Sequence, residues 1–83
     1  MMMINKHSIE EAYCFFHQKY RVYSRSDNPV QRDDIEYAIA SYANDMNRDL
    51  YREIAGGKSD FLYDHATFSD DLSNAVDQLE KLL

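Results

Sequence analysis

Ile9, Ala12, Tyr13, Phe16, Tyr20 and Tyr23 fall on one stripe when the chain is wound as an α-helix. Phe15 and Val22 widen that stripe on one flank, and Glu10, Cys14, His17 and Arg21 occupy the other. Ser8-Ile9-Glu10-Glu11 reads as a capping box, in which a hydroxyl and a carboxylate satisfy the first free amides. The pattern therefore predicts a helix over residues 8–24. Arg21 and Arg25 lie near its C-terminus, where cations complement the helix dipole.

A polar stretch, Ser24-Arg25-Ser26-Asp27-Asn28-Pro29, interrupts the pattern. Asn28 is a good N-cap, and Pro29 suits the first helical position, where a missing N–H costs nothing. Gln31 is placed to complete a second capping box. The second helix is predicted over 29–55, with Ile35, Ala38, Ile39, Tyr42, Met46, Leu50 and Ile54 as its apolar side. Spacings of mostly four drift around a straight helix of 3.6 residues per turn, so Asp49 and Glu53 land where the early stripe pointed. Asn44-Asp45-Met46-Asn47 carries capping chemistry, and a break there would restore the phase. The sequence leaves open whether the helix is continuous. Gly56-Gly57 ends it in either case.

Phe61, His65, Phe68, Leu72, Ala75, Leu79 and Leu82 repeat at fours and threes, an a/d seam that Val76 and Leu83 widen. The main helix is predicted over 68–83, with a start as early as residue 60 if Ser59 caps it. His65 sits on the seam and is expected to be a half-buried packing residue or a helix N-terminal group. The implied fold is all-α: a small antiparallel bundle of three to four helices in one domain, 1–83.

Composition supports this. Two glycines and one proline among 83 residues are too few for the turns of a β-sandwich or barrel. The formal charge of −6 disfavours nucleic acid, whose phosphates need Lys and Arg, and anionic membrane surfaces. The charge is segregated. Residues 1–25 carry four bases against two acids, and residues 60–83 carry Lys81 against six acids. The simplest reading packs the first segment near the last; the alternative is that the acidic end recruits a basic partner. Cys14 is alone, which excludes an internal disulfide. The N-terminal Met1-Met2-Met3-Ile4-Asn5-Lys6 lacks a signal peptide's apolar run, and no stretch has the length of a membrane span. The expected location is the cytoplasm, without membrane contact.

Candidate chemistry is sparse. Asp64-His65 with Asp70 and Asp71 offers metal-ligand types, but at no recognised metal spacing. Cys14 and His17, three apart, pair a thiol with an imidazole, a pairing that also arises often by chance. The run from His17 to Arg25 interleaves bases with aromatics, as single-strand binders do, although Tyr20 and Tyr23 belong to the apolar stripe. A helix-turn-helix is rejected because the third element is acidic. No phosphate-binding loop, nucleophile elbow or dinucleotide fingerprint occurs, so neither an enzyme nor a cofactor is expected.

Tyr37, Tyr51 and Tyr63 lie off the main stripes, and tyrosine is enriched at protein interfaces. With Asp64, Asp70, Asp71, Asp77 and Glu80 they form the expected interaction surface. The equally ordinary reading is that these tyrosines cover a second face of the bundle. The expected function is a small non-catalytic interaction or regulatory module, binding a protein partner or self-associating through the seam at 61–82. One alternative is an acidic nucleic-acid mimic or inhibitor presenting Asp60, Asp64, Asp70, Asp71, Asp77 and Glu80. The other is a small metal-binding or thiol-dependent protein using Asp64/His65 or Cys14/His17.

Overall fold

The computed structural model describes residues 5–83; Met1 to Ile4 lie outside the described residues. Four α-helices and one short 3-10 turn account for its regular structure, with no strand among the described residues. The first, α1, spans Lys6–Arg25 and begins earlier than the capping box suggested. Asn5 is the cap: its backbone is extended and its side-chain oxygen accepts the Ser8 amide at 2.8 Å. Ser8 is thus the third helical residue and not the cap, because Asn5 offers the same acceptor chemistry three positions sooner.

Helix α2 spans Pro29–Asp45. Asn28 Oδ1 accepts the amides of Val30 and Gln31 at 2.9 and 3.3 Å. The Gln31 side chain does not complete a second box; its oxygen accepts the Ser26 hydroxyl at 2.6 Å and fastens the α1–α2 loop. Ile35, Ile39 and Ala43 are the buried line of α2.

The second apolar run is broken. After Met46 and Asn47 the chain restarts as α3, Arg48–Ala55. Asn47 Oδ1 accepts the amides of Asp49 and Leu50 at 2.8 and 3.1 Å. The Arg48 guanidinium donates to the carbonyls of Ala43 and Met46, satisfying acceptors that the end of α2 leaves open. The break resets the helical phase, so Leu50 and Ile54 both point into the core. Gly56 closes α3 in the left-handed conformation, φ 60°. Replacing Asn47 by alanine removes the cap of an eight-residue helix and is expected to cost about 0.5–2 kcal/mol. The urea midpoint should fall with an unchanged slope; an unchanged midpoint would mean the cap does not hold the break.

Irregular chain from Gly56 leads to the 3-10 turn His65–Thr67 and then to α4, Phe68–Leu82. Phe61, Phe68, Leu72, Ala75, Val76 and Leu79 are buried within the chain. Most of the seam is therefore used by the intramolecular core, with His65 and Leu82 left exposed. His65 departs from the seam: its side chain is 79% exposed. Leu82, expected on the seam, and Val22 and Leu83, expected to widen apolar stripes, are exposed too.

Helix α1 lies antiparallel to both α2 and α4. The Tyr23 ring near its C-terminus meets Phe68 at the start of α4, with centroids 5.0 Å apart. Phe15 in its middle stacks on Tyr42 near the end of α2 at 4.4 Å, and Phe16 meets the same ring edge-on at 5.3 Å. Helix α3 covers α4. The first and last segments are thus direct neighbours, as the segregated charge suggested. Phe16, Ile39, Leu50, Leu62, Phe68, Leu72 and Leu79 are its largest fully buried side chains.

Candidate interaction surface

The structure divides the expected surface residues into two sets. Asp71 is not a surface residue. It is 2% exposed, in the first turn of α4. Its Oδ1 accepts Lys58 Nζ at 2.7 Å, and its Oδ2 accepts the Leu62 amide at 3.0 Å and the Thr67 hydroxyl at 3.3 Å. Lys58 also donates to Thr67 at 2.6 Å. The cluster pins a turn in which Leu62, wholly buried, takes φ +68°, a conformation that side chains with a Cβ resist. Tyr51 is partly buried against the core. Its hydroxyl donates to the Phe61 carbonyl at 2.7 Å, and burial raises its pKa. Asp64 caps the 3-10 turn through the Ala66 amide at 3.0 Å.

Tyr37, Tyr63, Asp64, Asp70, Asp77 and Glu80 remain exposed. Asp70 and Asp77 lie one heptad apart on one side of α4, with Glu80 beside them. Of the six acids expected for a nucleic-acid mimic, Asp71 is buried, while Asp60, Asp64, Asp70, Asp77 and Glu80 are exposed.

A second cluster was not visible in the sequence. Glu36 of α2 joins α1 to the turn before α4. It accepts the Tyr23 hydroxyl at 2.9 Å and pairs with His65 Nδ1 at 2.7 Å. Arg32 lies 4.0 Å from the Tyr23 ring centre and donates to the carbonyls of Tyr23 and Ser26, both at 3.1 Å. Burial foremost, with Glu36 adding to it, raises the Tyr23 pKa. The hydrogen bond to Glu36 raises that of His65. Arg32 and Glu36 are four apart on one helix, but His65 lies 29 positions further on, beyond any local pattern.

The sign of the pH effect follows. A histidine whose folded pKa is raised stabilises the fold fully below its unfolded value, near 6.5, and loses that contribution as pH rises through the folded value. Replacing His65 by alanine should therefore lower the melting temperature at about pH 5.5 and converge on the parent by about pH 8.5. A difference that stays constant with pH would show that the pair is not linked to folding.

The metal candidate is not assembled among the described residues. Among the described residues no three His, Cys, Asp or Glu side chains come together as a metal would require. Cys14 is exposed, and His17 stacks on Tyr13 at 5.3 Å. Among the described residues no helix is long and apolar enough to cross a membrane.

The outer junction of α1 and α2 forms a groove of two adjoining depressions that share Gln18, Val22 and Gln31. The larger, about 370 Å³, adds Arg21, Arg25 and Ser26. The smaller, about 210 Å³, adds Lys19, Asp34 and Ile35. Lys19 Nζ lies 5.5 Å from the Phe15 ring centre. Among the described residues, Lys19, Arg21 and Arg25 take part in no salt bridge. The groove escaped the sequence because Val22 fits an apolar stripe, which placed it in the core. A cleft between α3 and α4 also contains a base, Lys58, but that ammonium is held by Asp71.

Comparisons with protein families, with curated proteins and with solved structures find no match to this chain.

Proposed function

We propose that this chain is a small non-catalytic protein-interaction module whose contact surface centres on the outward face of α2. The observation that carries the reading is the placement of Val30 and Tyr37. They lie one heptad apart on one face of that helix, 67% and 72% exposed, opposite the buried line of Ile35, Ile39 and Ala43. Single exposed apolar residues are ordinary on a monomer. Two on one helical ridge, one of them a tyrosine whose ring and hydroxyl have no partner among the described residues, offer a rigid anchor at low entropy cost. The acidic row Asp70, Asp77 and Glu80 and the exposed Tyr63 are elsewhere available to set orientation and association rate.

The test is capture from nuclease-treated lysate with the parent chain and with Val30→Ser/Tyr37→Ser in parallel. A partner retained by the parent and lost by the double variant supports the reading. A partner retained equally by both, or none at all, counts against the α2 ridge.

A further inference from the structure

The groove beside that ridge has a charge opposite to that of the chain as a whole. We propose that it binds a short acidic peptide segment of a partner protein, an inference that rests on the interaction-module reading. Lys19, Arg21 and Arg25 project from the last two turns of α1, and none has a carboxylate within 4.0 Å among the described residues. In a chain of net charge −6 with fifteen acids, the convergence of three bases on a groove whose lining contains one acid, Asp34, marks it as a local cationic surface. Asp34 lies on the wall of the smaller depression, and Asp27 in the adjoining loop. They leave the groove cationic at its Arg21–Arg25 end.

Its floor has a second character. Val22 is 40% exposed between the two arginines and opens on Ile35 in the smaller depression. The polar groups at the base are already satisfied by each other, since Ser26 donates to Gln31 and accepts the Asn28 amide. The groove therefore asks for carboxylates along its rim and one apolar side chain at its centre. A segment with two or three Asp or Glu residues around a Leu or Ile meets both demands. Guanidinium groups favour such carboxylates because their planar forks bind them in a bidentate manner. A nucleic acid supplies the negative charge but no aliphatic side chain, and its extended phosphate backbone must also pass the acidic remainder of the chain. A second copy brings its own −6.

The probe is a blocked synthetic peptide in which glutamates flank a leucine, titrated into the intact isotope-labelled chain and followed by amide chemical shifts. Controls are the same peptide with lysine for glutamate and a twelve-nucleotide oligothymidine. Shifts confined to Gln18, Val22, Gln31 and their neighbours are expected. Their affinity should weaken at least about threefold between 50 and 300 mM salt, as exposed ion pairs require. Arg21→Glu/Arg25→Glu should lower the affinity about tenfold or more, since it removes two ion pairs and adds repulsion. Arg21→Gln/Arg25→Gln, which adds no charge, should show a smaller loss in the same direction. Both arginines are exposed and near the C-terminus of α1, where glutamate opposes the helix dipole; a glutamine pair that loses affinity with a melting temperature close to the parent's shows that folding is not the cause.

Absence of binding, equal binding of the lysine peptide, or binding indifferent to the arginine variants each overturns the inference. Preferential binding of the oligonucleotide in the groove overturns it in favour of a polyanion site. Failure here with a lysate partner still lost on changing Val30 and Tyr37 leaves the interaction-module reading standing. Failure of both removes the two together.

Discussion

Replacing Phe16 by alanine is expected to remove about a quarter or more of the chain's stability against urea. The ring is wholly buried at the middle of α1, edge-on to Phe15 and Tyr42. Truncating a buried phenylalanine typically costs about 3–5 kcal/mol, through lost transfer energy and the cavity left behind. A chain of 83 residues has a total stability of roughly 4–12 kcal/mol at the usual value per residue. The substitution therefore removes a large fraction of the margin, whichever end of that range applies. Far-ultraviolet circular dichroism against urea is the measurement. A midpoint within experimental error of the parent would mean that the α1–α2–α4 junction is not where the core is made.

The second large effect belongs to a polar residue. Asp71→Ala removes the acceptor of the buried Leu62 amide and the partner of Lys58 and Thr67. Lys58 is partly exposed and regains water when the carboxylate goes, so its share is small. The Leu62 amide cannot do the same. Leaving it unsatisfied, together with the loss of a charge-assisted bond, is expected to cost about 2–4 kcal/mol. Asp71→Asn keeps an oxygen for that amide and should recover about half of the loss. Amide exchange at Leu62 gives the local readout: protection should collapse in the alanine variant and survive in part in the asparagine variant. Equal stability of Asp71→Ala and the parent would show that the turn is held by Phe61 and Leu62 burial alone.

These two effects also show what the sequence carried. The stripe containing Phe16 was legible because helical periodicity is local: a residue's face is set by neighbours three and four positions away. The same logic placed Ile9, Ala12, Phe68, Leu72, Ala75 and Leu79 in the core, where they lie. Drift in the second stripe and the capping chemistry around Asn47 marked the point at which the helix breaks. Asp71 was misplaced for the opposite reason. One acid among several on an acidic helix looks solvated, and only the return of Lys58 and Leu62 from thirteen and nine positions upstream makes it internal. Tyr51, for which covering a second face was an equal reading, is partly buried, its hydroxyl donating to a carbonyl ten positions away. Val22 erred in the other direction. It fits an apolar stripe, but α1 is contacted by α2 and α4 over only part of its circumference, and the flank beyond them is left to solvent. The groove and the Glu36–His65 pair are products of packing, and no interval along the chain encodes them.

The pairing of α1 with α4 bears on how the chain reaches this structure. Tyr23 and Phe68, which meet across that contact, are 45 positions apart (68 − 23). Closing so long a loop costs more entropy than forming either neighbouring hairpin, and the cost must be met before the burial that rewards it. Helices α1 and α2 can meet across a three-residue loop, and α3 can meet α4 across one turn region, each without waiting for the other. The chain is thus a pair of local hairpins joined at Met46-Asn47, and its two halves become one cooperative unit when the first helix closes on the last.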